Sequence, residues 1–225
     1  MFDGRFRTNI ERGLRPVGAS LRRTGLTADH LTLLGMVMAV AASLAIANGA
    51  LRAGVLLLGL TALPDALDGA VAKAAGTASP RGAFFDSVAD RVTDALLLGG
   101  VAWYLSSADG GRAAVLPLAV LAASMLISYE RARAESLGFN ARGGLMERAE
   151  RLVMLALGLL FDSVLVLVLW VMLVLSLVTV VQRFAKVWRQ ASVPAPIPRR
   201  GLWRGRRVPR ATARTWRRRS RLRRT

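Results

Sequence analysis

The chain has 225 residues, of which 53% are hydrophobic, and it carries a formal charge of +18 with no cysteine. Disulfides and thiolate metal sites are thereby excluded, and the single histidine, His30, cannot build a histidine cluster. Thirteen arginines and no acidic residue fall in residues 191–225. Residues 1–190 therefore keep only +5, nineteen Lys and Arg against fourteen Asp and Glu, so the charge is no basic globular surface for nucleic acid.

Residues 1–26 intersperse six arginines with Ile10, Leu14, Val17 and Leu21, which recur at helical spacing. This predicts a juxtamembrane amphipathic helix on an anionic lipid surface. No cleavable signal is expected, because the first long apolar run starts only near Leu31. Six apolar segments follow, at residues 31–50, 53–75, 82–105, 113–138, 145–161 and 164–181. Each is read as a membrane helix, a span needing about 20 residues. Pro64 is placed to kink the second. The fourth ends, and the fifth begins, in charged residues.

The expected fold is thus all-α integral membrane, with six transmembrane helices. Residues 27–190 form the membrane domain, and residues 191–225 form a disordered Arg-rich tail. The basic N-terminus, Lys73, Arg81, Arg131, Arg133, Arg142, Arg148, Arg151 and the tail fall on one side, against Arg52 and Arg112 on the other. The positive-inside rule then puts both termini in the cytoplasm of a multi-pass cell-membrane protein. The tail is expected to bind anionic headgroups rather than nucleic acid.

Asp65, Asp68, Asp86 and Asp90 interrupt this apolar pattern at spacings of three and four residues, which put each pair on one helix face. Carboxylates in membrane helices are costly unless they bind a cation, pair with a base or line a wet cavity. Hard divalent cations take such oxygen ligands and leave positions open for phosphates. All four fall at the cytoplasmic end. A transporter or channel with intramembrane Asp is the alternative of another class, and clustering toward one face argues against it. Asp94 continues the second stripe by one turn and is expected to pair with a neighbouring base.

The residues Asp65, Asp68, Gly69, Ala72, Lys73, Gly82, Asp86 and Asp90 resemble the signature D-x2-D-G-x2-A-R-x8-9-G-x3-D-x3-D of the CDP-alcohol phosphatidyltransferases. Seven of its eight positions match, and Lys73 stands where the family usually has Arg. The resemblance implies attack of an alcohol on the diphosphate of a CDP-linked lipid, with release of CMP. It implies two Mg²⁺ ions, with Mn²⁺ as the alternative, held by Asp65, Asp68, Asp86 and Asp90. Asp90 would also be the general base. It implies a CDP-diacylglycerol site at Gly69, Ala72, Lys73, Ser79 and Gly82, together with Asp29, His30, Leu31 and Thr32 from a second nucleotide-contacting segment, and it suggests a homodimer.

The stretches around residues 127–135 and 143–152 are similar to the phosphatidylinositol phosphate synthase branch, whose acceptor is inositol 3-phosphate. By that resemblance Arg131, Arg151 and Arg183 bind the acceptor phosphate. The nearest rival acceptor is glycerol 3-phosphate, giving phosphatidylglycerol phosphate.

Overall fold

The computed structural model describes residues 27–61, 79–108 and 111–192. The amphipathic segment, the first half of the Asp motif and nearly all of the tail lie outside them. The described residues are all-helical, without a strand. In chain order they form α1 (Ala28–Ala47), α2 (Leu51–Thr61), α3 (Pro80–Ala108), α4 (Val115–Ser136), α5 (Arg148–Leu160) and α6 (Leu165–Ser192). Short 3-10 turns precede α4 and α6.

Local chemistry sets the helix ends. Thr27 and His30 form a capping box at α1: the Thr27 hydroxyl accepts from the His30 amide, and the Thr27 amide donates to His30 Nδ1, each at 3.3 Å. Ser79 does the same for α3, its hydroxyl accepting from the Gly82 amide at 3.1 Å, with Pro80 at the first helical position. After α4 the chain turns through Gly138 at φ 82°.

Among the described residues, three segments are long and apolar enough to cross a membrane: Ala28–Ala47, Arg112–Ser136 and Asp162–Ser192. Large apolar side chains stay exposed along them, among them Leu44, Leu118, Leu167 and Val174. In water such surface would be a liability, and against lipid it is the expected finish. α5 has 13 residues, about 20 Å at 1.5 Å per residue, less than the roughly 30 Å hydrocarbon core. α3 has 29 residues, but its first half is too polar to count as an apolar span.

The core lies between these helices and includes Ile46, Leu97, Val101, Val120, Leu159 and Leu169. α3 is its axis: α1 packs along one side of it and α4 along another. Between α1 and α3, Ser43 donates its hydroxyl to the Leu96 carbonyl at 2.7 Å. A Cβ on Gly100 would lie 2.6 Å from the Ser43 carbonyl oxygen, whereas one on Gly99 would meet nothing within 4 Å. Gly100→Ala should therefore lower the thermal midpoint in detergent. Overpacking costs about 1–3 kcal/mol, against a gain of about 1 kcal/mol for removing a helical glycine. Gly99→Ala should keep or raise the midpoint. Equal behaviour of the two variants would contradict the close packing.

Candidate active site

The face of α3 that buries Leu97 and Val101 carries Asp94 and Asp90 one and two turns earlier. The stripe thus changes from apolar to anionic without changing direction, which aims the carboxylates between helices rather than toward lipid. Asp86 and Asp90 line one cavity with Thr32 and Gly35 of α1, Thr61 of α2, Ala89 and Thr93 of α3, and Arg148 of α5. Its polar lining, apart from that guanidinium, is carboxylate and hydroxyl oxygen. These oxygens fit a hard divalent cation, and Met36 of α1 adds a thioether to the same lining. Asp65, Asp68, Gly69, Ala72 and Lys73 lie outside the described residues.

Asp90 is held by two guanidinium groups. Arg148 Nη1 approaches its Oδ1 at 2.6 Å, and Arg91 Nη2 its Oδ2 at 3.3 Å. Asp94, only 4% exposed, is bound more deeply. Its Oδ2 accepts from Arg151 Nη2 at 2.9 Å and from the Ser124 hydroxyl at 3.1 Å, and its Oδ1 lies 3.7 Å from Arg148 Nε. Asp90, Arg148, Asp94 and Arg151 form a continuous chain of alternating charge joining α3 to α5. Ser124 ties α4 to it.

The three arginines expected to meet the acceptor phosphate are placed differently from one another. Arg131 is exposed and pairs with Glu135 one turn on, at 3.1 Å. Arg151 is 5% exposed and faces Asp94. Arg183 is 3% exposed and donates to the Gly143 carbonyl, the Ile127 carbonyl and Glu147 at 3.0–3.1 Å. Arg151 and Arg183 therefore already hold protein groups together, and Arg131 is engaged outside.

Arg183 belongs to a ladder along one stripe of α6. Thr179 accepts from the Met146 amide, Lys186 donates to the Arg142 carbonyl, and Gln190 bonds both backbone groups of Asn140. Gly144, at φ 156°, comes so near α6 that a Cβ would sit 2.5 Å from Thr179 Cγ2. The ladder presses residues 140–147 onto α6 and so aims Glu147, Arg148 and Arg151.

The residues expected to contact the CDP group divide likewise. Thr32 lines the cavity and donates to the Ala28 carbonyl at 3.1 Å. Asp29 lies 3.5 Å from Arg81. The His30 ring is spent on capping, and the Leu31 side chain is buried in the core. Among the described residues, a Cβ on Gly82 would meet only Ser79 Oγ, at an ordinary 3.5 Å. Sequence reasoning passed over Arg148, Thr61 and Thr93 as site residues. Arg148 was findable, since it sits one turn before Arg151 on the same face.

The family model of CDP-alcohol phosphatidyltransferases matches residues 25–182. The chain belongs to the CDP-alcohol phosphatidyltransferase family. It is accordingly a phosphatidyl-transferring enzyme, and its relatives carry closely related names. It is 38% identical over 180 residues to the phosphatidylinositol phosphate synthase of Mycobacteroides abscessus, covering 76% of this chain and 82% of that one. It is 35% identical over 194 residues to the archaetidylinositol phosphate synthase of Methanothermobacter thermautotrophicus, covering 82% and 93%. Two crystal structures of Mycobacterium tuberculosis phosphatidylinositol phosphate synthase superpose with a TM-score of 0.73 at 34% identity. One has CDP-DAG bound and covers 79% of this chain and 94% of that one. The other holds manganese and citrate and covers 78% and 88%.

In this phosphatidyltransferase the buried pair between Asp94 and Arg151 should govern stability. Removing one partner of a buried ion pair costs about 3–5 kcal/mol, so Arg151→Ala should strongly lower the unfolding midpoint. The Arg151→Ala, Asp94→Ala double variant should recover part of that loss. Strictly additive losses would contradict the pairing.

Proposed function

We propose that the protein transfers a phosphatidyl group from CDP-diacylglycerol to inositol 3-phosphate, giving phosphatidylinositol phosphate and CMP. The observation that carries this reading is the identity of 35–38%, spread over most of the membrane domain, to enzymes named for inositol phosphate lipids. That acceptor recurs in a bacterial and an archaeal relative whose lipid names differ, which supports the inositol phosphate as the shared feature.

Asp86 and Asp90, with Asp65 and Asp68 of the same motif, are the residues to hold two divalent cations, Mg²⁺ or Mn²⁺. Such ions, when bound, neutralise the diphosphate and stabilise the charge that develops on the leaving CMP. Asp90 takes the proton from the attacking hydroxyl and holds it on a carboxylate oxygen. That role suits its place in a cavity also lined by Thr32, Thr61 and Thr93. Gly82 leaves room for cytidine, and Ser79 and Lys73 meet the CDP phosphates. Lys73 does so as a point charge, without the two-pronged fork of the usual Arg. Gly69 and Ala72 let cytidine approach the backbone, and Asp29, Thr32 and the backbone at His30 and Leu31 border it. Arg151 and Arg183 supply positive potential to the acceptor phosphate from anchored positions, and Arg131 closes on it from outside.

The same reading takes the chain as a six-span cell-membrane protein with both termini and the site in the cytoplasm. Residues 1–26 lie on the lipid surface, residues 27–190 form the membrane domain, and residues 191–225 form a tail drawn to anionic headgroups. It takes the working assembly as a homodimer with one site per protomer.

Purified protein in liposomes with CDP-diacylglycerol and Mg²⁺ should release CMP when given inositol 3-phosphate and far less with glycerol 3-phosphate. Asp90→Asn should lose about 10²–10⁴ in turnover, the usual value of a positioned base. Preference for glycerol 3-phosphate would overturn the acceptor. Wild-type turnover by Asp90→Asn would overturn the base.

A further inference from the structure

Asp90 is asked to do three things with one carboxylate: ligate a cation, accept a proton and pair with arginine. Its Oδ1 faces Arg148 at 2.6 Å and its Oδ2 faces Arg91 at 3.3 Å. A divalent ion at ligand distance, about 2.0–2.1 Å for Mg²⁺, would share an oxygen with a guanidinium hydrogen-bonded to it. Both cations would then sit within a few ångströms in a partly buried site, where repulsion is poorly screened. One oxygen can serve both, but the repulsion makes the two cations compete for the charge of Asp90.

Arg148 is the group with somewhere to go. The Arg148 and Asp90 side chains are each about one fifth exposed. Arg148 Nε already lies 3.7 Å from Asp94 Oδ1, one helical turn deeper on α3. Asp94 is fixed through its other oxygen by Arg151 and Ser124, so it offers Oδ1 as a stationary second station. Arg91 is the sequence neighbour of Asp90, and its longer contact makes it the weaker competitor.

Resting on the metal assignment made above, we propose that Arg148 is a positioning residue that exchanges partners. It competes with the divalent cation for Asp90, and it moves to Asp94 Oδ1 when Asp90 turns to the metal. The exchange keeps a close counter-charge on Asp90 among apolar helices, where an ionised carboxylate is costly. It also means that metal affinity at Asp90 is held down chiefly by Arg148, with Arg91 the weaker competitor. Among the described residues the exchange runs between side chains of α3 and α5, and α5 is aimed by the ladder on α6 described above.

The test is the Mn²⁺ dissociation constant of the full-length protein in detergent, measured by electron paramagnetic resonance without CDP-lipid or acceptor. Arg148→Gln removes the competing charge and should tighten Mn²⁺ binding about tenfold, the scale of one close charge pair. Arg148→Lys keeps the charge but reaches both carboxylates less well, and should fall between Arg148→Gln and wild type. Asp94→Asn removes the second station and should weaken Mn²⁺ binding, and this effect should largely vanish when Arg148→Gln is also present. A merely structural Arg148 predicts the opposite sign, because a misplaced Asp90 binds metal less well. Unchanged or weaker Mn²⁺ binding by Arg148→Gln, with CMP release by wild type intact, overturns the exchange alone. Should Arg148→Gln fail to fold, Arg148→Lys binding Mn²⁺ no tighter than wild type overturns it. Absence of Mn²⁺ binding by wild type and all variants overturns the exchange and the metal assignment together. Preference for glycerol 3-phosphate overturns the acceptor and leaves the exchange standing.

Discussion

The buried pair between Asp94 and Arg151 is the constraint on which the rest of the site depends. Two charges out of water, each about one-twentieth exposed, are tolerable only if each satisfies the other and the remaining polar atoms find partners. Asp94 meets that condition with Ser124 on α4 and with Arg151 and Arg148 on α5, so one carboxylate on α3 fixes the positions of two other helices. Asp90, one turn earlier, inherits its surroundings from that arrangement. It faces the cavity shared with α1 and α2 because the face of α3 behind it is committed.

A second constraint acts from α6. Its stripe of Thr179, Arg183, Lys186 and Gln190 takes up successive backbone groups of residues 140–146, which have no helix of their own to satisfy them. Gly144 permits the backbone to lie that close, and Gly143, at φ 92°, makes the turn before it. The arginines of α5 are thereby delivered to the site by packing and hydrogen bonding, rather than by α5 alone, which is only 13 residues long. Order at the site in this way comes from elements that carry none of the signature.

Much of this was legible in the sequence. The helix segments appear where apolar runs meet caps: Thr27 starts α1, and Ser79 with Pro80 starts α3. The three-and-four spacing of carboxylates placed Asp86 and Asp90 on one face, as the shared cavity requires, and Asp94 was expected to pair with a base, as it does with Arg151. Less legible was which arginine serves which carboxylate. Helical spacing ranks neighbours within one helix, whereas Arg148 and Arg151 are matched to α3 across a helix interface set by the ladder on α6. His30 shows the same limit. It was assigned to the nucleotide from the motif around it, yet its ring closes a capping box that spacing alone would also have suggested. Its neighbour Leu31 turns its side chain into the core, leaving the backbone as the part that can border a ligand.

The central claim is that the α3 carboxylates face a divalent-cation site of a phosphatidyltransferase. Its most direct test is an anomalous-difference map from crystals of the full chain grown with Mn²⁺ and CDP-diacylglycerol. The account predicts manganese peaks with oxygens of both Asp86 and Asp90 at ligand distance, about 2.0–2.6 Å for hard divalent ions. Manganese bound elsewhere, with Asp86 and Asp90 beyond coordination, would contradict it.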